Sequence, residues 1–187
     1  YDQNTATIIR SCTITVSGGG VSEDQIINQD SAQITPSCGN PFTDPRDGNT
    51  YNTVLIGSQC WMAENLAYLP SVSPSSTGSE TIPYYYVYGY QGTDVNAAKA
   101  EPNYQTYGVL YNYPAAMNGE ASSDSVPSGV KGVCPTNWHL PSDEEWKILE
   151  GEVDSLYNYP DAEWNNTGLR GTDAANHLKE FGTVHWN

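Results

Sequence analysis

Basic residues are scarce in this chain, which has seven Lys and Arg residues against 22 Asp and Glu residues, for a formal net charge of −15 at pH 7. A protein that binds a phosphate backbone must neutralise it with cationic side chains, so this balance argues against a nucleic acid partner. Cations are the more compatible charged ligands, although an acidic surface also serves solubility alone. Calcium is therefore the one cofactor that the composition favours.

Long apolar runs are also missing, since no stretch approaches the roughly 20 residues that a transmembrane helix needs. The chain has only two phenylalanines, beside 14 tyrosines, 17 glycines and 12 prolines. Tyrosine rings can lie half in water because they carry a hydroxyl, and Gly and Pro favour turns. This composition predicts a secreted, loop-rich domain with no transmembrane segment.

The cysteines, Cys12, Cys38, Cys60 and Cys134, form no Cys-x-x-Cys pair, which argues against zinc and redox motifs. An even number at wide spacings favours two disulfides and an oxidising compartment. Four cysteines allow three connectivities. Among these we favour Cys12 with Cys38 and Cys60 with Cys134.

A capped amphipathic helix is predicted to begin at Asp143. Ser142 can cap the first turn while Glu145, three residues on, reaches back to it, which is the capping-box arrangement. A shorter helix is predicted over 173–180. In the first helix the packed face is expected to hold Trp146, Leu149 and Val153, and the wet face Glu144, Lys147 and Glu152.

Residues 7–16 are rich in β-branched side chains and are followed by Gly18-Gly19-Gly20, which predicts a strand and a break. We expect residues 1–38 to be an N-terminal extension. A lone strand cannot satisfy its own edges, so the extension is a candidate for pairing with another chain. An edge strand of the same domain is the alternative. The candidate assembly residues are Ile8, Ile9, Ile14 and Val16.

A hairpin is predicted from Phe42 onward, with turn residues over 43–49, a strand over 51–56 and a return over 59–62. Asp44, Asp47 and Asn49 lie in the first turn. Their side-chain oxygens are the type of ligand that calcium prefers. The alternative is that these side chains close the turn.

Two tyrosine-rich stretches, 84–90 and 104–113, flank Glu101-Pro102-Asn103. Alternating rings along a strand would form a platform for sugars, and Glu101 and Asn103 match the sugar-binding triplet of mannose-type lectins, although here it precedes the capped helix. The alternative is that the tyrosines brace a loop-rich core. The candidate ligand residues are Tyr84, Tyr86, Tyr88, Glu101 and Asn103.

Glycosylation is predicted at four positions. Three Asp-Ser-apolar triplets resemble the O-glycosylation site of Bacteroidota, and one Asn-x-Thr triplet is an N-glycosylation signal. The acceptor residues are Ser31, Ser125, Ser155 and Asn165.

Four segments occur in an order that resembles a known family. They are Thr43-Asp-Pro-Arg-Asp-Gly-Asn-Thr-Tyr51, Ile56-Gly-Ser-Gln-Cys-Trp-Met-Ala-Glu-Asn-Leu66, Tyr107-Gly-Val-Leu-Tyr-Asn-Tyr-Pro-Ala-Ala-Met117 and Gly132-Val-Cys-Pro-Thr-Asn-Trp-His-Leu-Pro-Ser-Asp-Glu-Glu-Trp146. Together they resemble the Fibrobacter succinogenes major paralogous domain, over roughly residues 42–187. The resemblance implies an exported surface protein of the kind found in Bacteroidota and Fibrobacterota.

The segment His139-Leu-Pro-Ser-Asp-Glu-Glu-Trp146 is also similar to the sulfatase-modifying factor family and to the second helix of C-type lectins. This likeness implies an α+β, C-type-lectin-like fold with short antiparallel strands, two short helices and long loops, preceded by the N-terminal strand extension. The expected domains are 1–38 and 39–187. Family members continue past the equivalent of Trp186, so we expect the second domain to be C-terminally incomplete.

No nucleophile elbow, phosphate loop or dinucleotide fingerprint occurs in the sequence, so we predict no catalytic residues and no enzyme. An extra strand at one end and missing strands at the other are what a strand-exchanging polymer needs. We therefore expect a secreted bacterial surface protein that self-assembles into a fibre or surface layer through strand exchange and disulfides. A calcium-assisted, adhesin-like module that binds glycans is the alternative.

Overall fold

The computed structural model describes residues 10–18 and 21–29 by their backbone and residues 38–179 with their side chains. The chain divides into two compact units, Tyr1–Pro36 and Ser37–Asn187. The described part of the chain is a mixture of short antiparallel strand pairs and short helices. None of its helices is long and apolar enough to cross a membrane.

The first unit contains a β-hairpin. Strand β1 (Arg10–Gly18) pairs with β2 (Val21–Gln29) in a register of nine residue pairs, from Arg10 opposite Gln29 to Gly18 opposite Val21. The expectation of a single unpaired strand is therefore wrong, because the polar segment after the glycines returns as its partner. Among the candidate assembly residues, Ile14 lies opposite Gln25 and Val16 opposite Glu23. Ile8 and Ile9 lie outside the described residues.

Three further strand pairs belong to the second unit, and each is a two-stranded antiparallel sheet within the described residues. The predicted hairpin from Phe42 is confirmed by the first two of them. The pairs are β3 (Phe42–Thr43) with β4 (Thr50–Tyr51), β5 (Thr53–Ile56) with β6 (Gln59–Met62), and β7 (Tyr85–Tyr86) with β8 (Leu110–Tyr111).

Helices are more numerous than the two that the sequence predicted. Short polar N-caps account for several of them: Asp94, Asn112 and Ser142 each accept backbone N–H groups of the following turn. The helices of the described residues are α1 (Val95–Lys99), α2 (Pro102–Tyr107), α3 (Tyr113–Met117), α4 (Asp143–Val153) and α5 (Ala174–Leu178), with a 3-10 turn at Ala162–Asn165.

Helix α4 begins at Asp143 with the predicted capping box, in which Glu145 N–H donates to the Ser142 hydroxyl and Ser142 N–H donates to the Glu145 carboxylate. The prediction of its faces is wrong at two positions. Lys147 is buried, because its ammonium group is enclosed by Glu144, Asp143 and Asn165. Trp146 is 42% exposed, although its ring packs against Trp61 of β6 at a tilt of 45°, with 5.0 Å between ring centroids.

The hydrophobic core of the second unit is assembled mainly from loops and short elements. Tyr104 of α2 places its ring in this core and donates its hydroxyl to the Ala67 carbonyl at 2.7 Å. Tyr111 of β8 packs against the same cluster and donates to the Tyr68 carbonyl at 2.9 Å. Burial raises the pKa of the Tyr111 hydroxyl, so it acts as a donor at neutral pH. The core cluster is Leu69, Val72, Val87, Ala98, Tyr104 and Val109.

The structure contains a disulfide between Cys38 and Cys60, whose Cα atoms lie 5.7 Å apart. Both predicted pairings are therefore wrong. The Thr53 hydroxyl accepts the Gly39 N–H and donates to the Asn40 carbonyl, both at 2.8 Å, which holds residues 38–40 beside the β5–β6 hairpin. Cys134 is a buried free thiol, and burial raises its pKa to about 11. The side chain of Cys12 lies outside the described part of the structure.

Asp154 is the C-cap residue of α4, and its carboxylate accepts hydrogen bonds from the loop that precedes α5. One carboxylate oxygen accepts the N–H groups of Leu156 and Tyr157, and the other accepts those of Thr172, Asp173 and Ala174, at 2.7–3.2 Å. Burial opposes ionisation, but these donors outweigh it and hold the pKa of Asp154 below its usual range. A single carboxylate thus fixes the C-terminal end of α4 to α5.

Candidate functional site

The candidate glycan surface lies where β7 ends. Val87 is buried in the core, and the chain then turns outward so that Tyr88 is 63% exposed. The Tyr88 ring meets the Tyr107 ring edge-on, with centroids 6.0 Å apart and an interplanar angle of 81°. Edge-to-face geometry is favourable for aromatic pairs, so the two rings hold each other in fixed orientations at the surface.

Asn103 fixes the backbone beneath these rings. Its side-chain amide donates to the Tyr88 carbonyl at 2.9 Å. The neighbouring Gly89 has φ of +81°, and a Cβ atom there would lie 3.1 Å from the Asn103 amide nitrogen. The turn therefore depends on both the glycine and the asparagine. We call Tyr88, Asn103 and Tyr107 the aromatic corner.

The five predicted ligand residues are only partly brought together. Tyr88 and Asn103 are in direct contact, and Glu101 lies at the N-cap position of α2 without a capping hydrogen bond from its side chain. Tyr84 and Tyr86 form a separate ring pair at 6.4 Å. The Tyr86 hydroxyl donates to the Thr77 carbonyl at 2.7 Å, so it braces the loop that contains Thr77. Sequence reasoning missed Tyr107, although it lies in the second tyrosine-rich stretch.

The predicted calcium residues are occupied by protein partners. Asp44 is fully buried and both of its carboxylate oxygens accept hydrogen bonds from Arg46. Asp47 accepts the backbone N–H and the side-chain amide of Asn49, at 3.1 and 2.9 Å. The turn is thus closed by its own Asx side chains. Within residues 38–179, no group of three His, Cys, Asp or Glu side chains is arranged to hold a metal ion, and calcium binding stays a prediction.

Three of the four predicted glycosylation acceptors lie in described parts of the chain, and all three are exposed: Ser125, Ser155 and Asn165. The Asn165 side-chain oxygen accepts a hydrogen bond from Lys147 at 3.1 Å. Ser31 lies outside the described residues. Exposure is compatible with modification at these positions, which stays a prediction.

An open cleft of about 540 Å³ separates α4 from the loop over 165–170. Its cationic side chains, Lys147 and Arg170, are both paired with carboxylates of α4. Arg170 donates from Nε to Glu150 at 2.6 Å and from Nη1 to the Trp164 carbonyl at 3.0 Å. Because these charges are compensated, the cleft offers little attraction for an anionic ligand.

The comparisons with known proteins agree with this arrangement of motifs. The sequence model of the Fibrobacter succinogenes major domain matches residues 54–187, which is more than half of the chain. The chain belongs to the Fibrobacter succinogenes major domain family. The matched region contains most of the β5–β6 hairpin, the aromatic corner and α4. No curated protein and no solved structure matches the chain.

Membership of the Fibrobacter succinogenes major domain family confirms the resemblance stated from the sequence motifs. The match begins inside β5 and leaves out the β1–β2 hairpin. The hairpin therefore lies outside the matched domain. Any role that it has must be argued from its own structure.

Proposed function

We propose that this protein is a secreted, non-enzymatic structural subunit of a bacterial surface that self-assembles through its N-terminal hairpin. The observation that carries the proposal is the β1–β2 hairpin, whose nine residue pairs belong to a separate compact unit. An isolated two-stranded hairpin is only marginally stable in water and needs further strands or a packing partner. Addition to a sheet of another copy would supply those strands.

The outer edges of the hairpin support this role. Among the described strands, β1 and β2 pair only with each other. Each strand therefore presents one row of backbone N–H and C=O groups that its partner does not satisfy. The composition of β1 favours pairing, because four successive residues, 13–16, are Thr, Ile, Thr and Val.

Two further observations support the location and the fold in this proposal. The Cys38–Cys60 disulfide is typical of proteins that fold in an oxidising compartment, which suits export to the cell surface. The short antiparallel strands around a capped helix are compatible with the C-type-lectin-like fold that the sequence resemblance implies, and we propose that fold for the second unit.

The test is to introduce prolines into β1 of the whole protein. Thr13→Pro combined with Thr15→Pro removes backbone donors and disrupts the strand. We expect size-exclusion chromatography with light scattering, and electron microscopy, to show polymers for the unchanged protein and monomers for the double variant. Near-ultraviolet circular dichroism should show that the second unit keeps its fold.

Thr93→Pro, in the exposed loop before α1, is the control for a proline placed elsewhere. It should assemble like the unchanged protein. Polymers of normal size from the double variant, or a monomeric unchanged protein at every concentration, would contradict the proposal.

Glycan binding at the aromatic corner is a second candidate function, because the exposed Tyr88 ring packs edge-on against the half-buried Tyr107 ring beside a polar side chain. Aromatic faces of this kind stack against sugar rings. Binding of the protein to a glycan array, measured with and without a calcium chelator, tests this function. If the protein binds no glycan in either condition, the glycan-binding function is refuted.

For a glycan that binds, Tyr88→Ala should weaken affinity by about two- to tenfold, the factor expected for an aromatic contact of ~0.5–1.5 kcal/mol. Tyr113→Ala is the matched control, because Tyr113 is 67% exposed and Tyr88 is 63% exposed. Equal losses in the two variants would argue against a site at the aromatic corner.

A further inference from the structure

Within residues 38–179, the β5–β6 hairpin has the longest strands, with four residues in each. One contact shows which cross-strand pairs of this hairpin are hydrogen-bonded. The Ala63 N–H donates to the Asn52 carbonyl at 2.9 Å, so the Asn52–Ala63 pair, next to the Thr53–Met62 pair, is a bonded one. In an antiparallel ladder the bonded pairs alternate, so Val54 and Ile56 bond to β6. Leu55 therefore directs its backbone N–H and C=O away from β6.

The outer edge of β5 is accessible at this residue. Leu55 is 61% exposed and Val54 is 40% exposed, whereas Thr53 is buried beneath residues 38–40. Among the described strands, none pairs with β5 on this side. An added strand would find backbone partners at Leu55 and would bury apolar surface on both faces of the sheet.

The apolar surface continues beyond the strand. Val54 lies opposite Trp61 in the register, and Trp61 packs against the exposed ring of Trp146. The far face carries Leu55 and its partner Cys60, whose sulfur is bonded to Cys38. The edge thus lies between two partly exposed apolar surfaces, which an added strand would cover.

The charges around this edge indicate which strand of the N-terminal hairpin would pair with β5. Glu64 binds Asn52 at the start of β5, and the Glu152 carboxylate lies against Gly57 at its end. Strand β2 contains Glu23 and Asp24, whereas the one charged residue of β1 is Arg10. Like charges beside each other oppose strand pairing and opposite charges favour it.

We infer that the outer edge of β5 is the acceptor for β1 of a second copy of this chain. This inference rests on the proposed self-assembly and names the surface that completes it. The product is a four-stranded sheet in the order β2, β1, β5 and β6, with the last two strands from the other copy. Three or more strands give a sheet the stability that a lone hairpin lacks.

We expect β1 to pair with β5 in the antiparallel direction. Antiparallel pairs outnumber parallel pairs roughly two- to threefold, and an antiparallel β1 brings Arg10, at its start, towards the Gly57 end of β5. The acidic side chain at that end is Glu152, which is exposed. Arg10 and Glu152 are therefore expected to attract each other across the interface.

The first test places a charge on the edge. Leu55→Lys in the full-length protein should raise the concentration needed for polymers by about tenfold, because it removes the apolar burial of one leucine and adds an edge lysine. Leu156→Lys is the matched control, since Leu156 is 62% exposed and Leu55 is 61% exposed. The control should polymerise like the unchanged protein.

The second test exchanges the charges. Arg10→Glu should weaken polymerisation, and adding Glu152→Lys to it should restore assembly to near the original concentration. Hydrogen exchange supplies an independent measure: the Leu55 amide should exchange rapidly in monomers and slowly in polymers.

The outcomes separate the inference from the proposed function. If the β1 proline variant abolishes polymers while Leu55→Lys leaves them unchanged, self-assembly stands and the β5 acceptor is wrong. Protection of the Leu55 amide in monomers at every concentration would mean that the hairpin binds its own chain, which also overturns the inference. An unchanged protein that stays monomeric throughout overturns both.

Discussion

Asp44 and Arg46, two residues apart in a turn, form an ion pair that is buried on the carboxylate side. The Asp44 side chain has no exposed surface, and Arg46 donates to it from Nε at 2.9 and 3.0 Å and from Nη2 at 2.6 Å. The third nitrogen of the guanidinium, Nη1, donates to the Val133 carbonyl at 2.8 Å. The same group lies 3.9 Å from the Tyr68 ring centroid. This one guanidinium therefore joins three distant parts of the chain.

We predict that Asp44→Ala lowers the free energy of unfolding by about 2–4 kcal/mol, because it leaves a partly buried guanidinium without its partner. Arg46→Lys should also destabilise, since an ammonium group cannot reproduce the fork that contacts Asp44 and Val133 together. Urea denaturation measures both changes. A loss below about 0.5 kcal/mol for Asp44→Ala would place it among ordinary surface substitutions and contradict the prediction.

The Cys38–Cys60 disulfide should stabilise the second unit. It joins residues separated by 22 positions, and a loop of that length corresponds to about 3 kcal/mol in the chain-entropy account. Cys38→Ser combined with Cys60→Ser should lower the free energy of unfolding by that amount. Peptide mapping under non-reducing conditions should recover the Cys38–Cys60 link.

Cys134 provides the control for thiol chemistry. Because the thiol is buried and its pKa is raised to about 11, it should react with a thiol reagent only after unfolding. A Cys60–Cys134 peptide in the map would show that the observed pairing is wrong.

The Asp154 carboxylate should make stability depend on acid pH. Its pKa is lower in the folded than in the unfolded state, so its contribution is complete above the unfolded value of about 4 and is lost as the pH falls towards the folded value. Asp154→Asn should lower the thermal midpoint at pH 7, and the difference from the unchanged protein should shrink below pH ~4. Thermal denaturation of both proteins from pH 7 to below pH ~4 measures this difference in thermal midpoint.

Asp124→Asn is the control for removing one acidic charge, because Asp124 lies in an exposed loop. It should leave the thermal midpoint at pH 7 nearly unchanged. A constant difference between Asp154→Asn and the unchanged protein at all pH values would count against the linkage.

The capping box of α4 extends beyond the helix. Glu145 accepts the backbone N–H of Ser128 at 3.1 Å as well as that of Ser142, and it lies 2.7 Å from the His139 ring. We predict that Ser142→Ala costs about 1 kcal/mol, the usual value for a lost N-cap. Glu145→Ala should cost about 2–3 kcal/mol, because it leaves buried N–H groups without an acceptor.

Ser155→Ala, an exposed serine just after α4, is the control for these two variants. Urea denaturation should rank the three losses with Glu145→Ala first and Ser155→Ala last. An inverted order between Ser142→Ala and Glu145→Ala would show that the carboxylate does not join the two loops.

Local sequence patterns predicted the local elements well. The capping box placed the start of α4, and the turn residues over 43–49 placed the hairpin that begins at Phe42, because both depend on contacts within a few residues. The burial of Lys147 could not be predicted from such local patterns. One of the groups that enclose its ammonium is Asn165, at the end of the 3-10 turn, 18 residues further on.

In the candidate site, too, the residue types could be predicted from the sequence but their contacts could not. The tyrosine stretches were visible in the sequence, yet the pairing of Tyr88 with Tyr107 depends on the turn that Gly89 and Asn103 create. The calcium hypothesis likewise rested on residue type alone. Arg46 engages Asp44 over a short range in the sequence, but its guanidinium also contacts Val133 and Tyr68, which the turn sequence does not contain.

The sequence by itself determined the family, the α4 cap, the hairpin turns and the excess of negative charge, because these follow from adjacent residues and composition. The tertiary structure alone decided that Cys38 meets Cys60, that Cys134 is left as a buried thiol, and that Leu55 lies on an open edge. Those outcomes depend on which distant segments pack together. Distance along the chain does not specify distance in space.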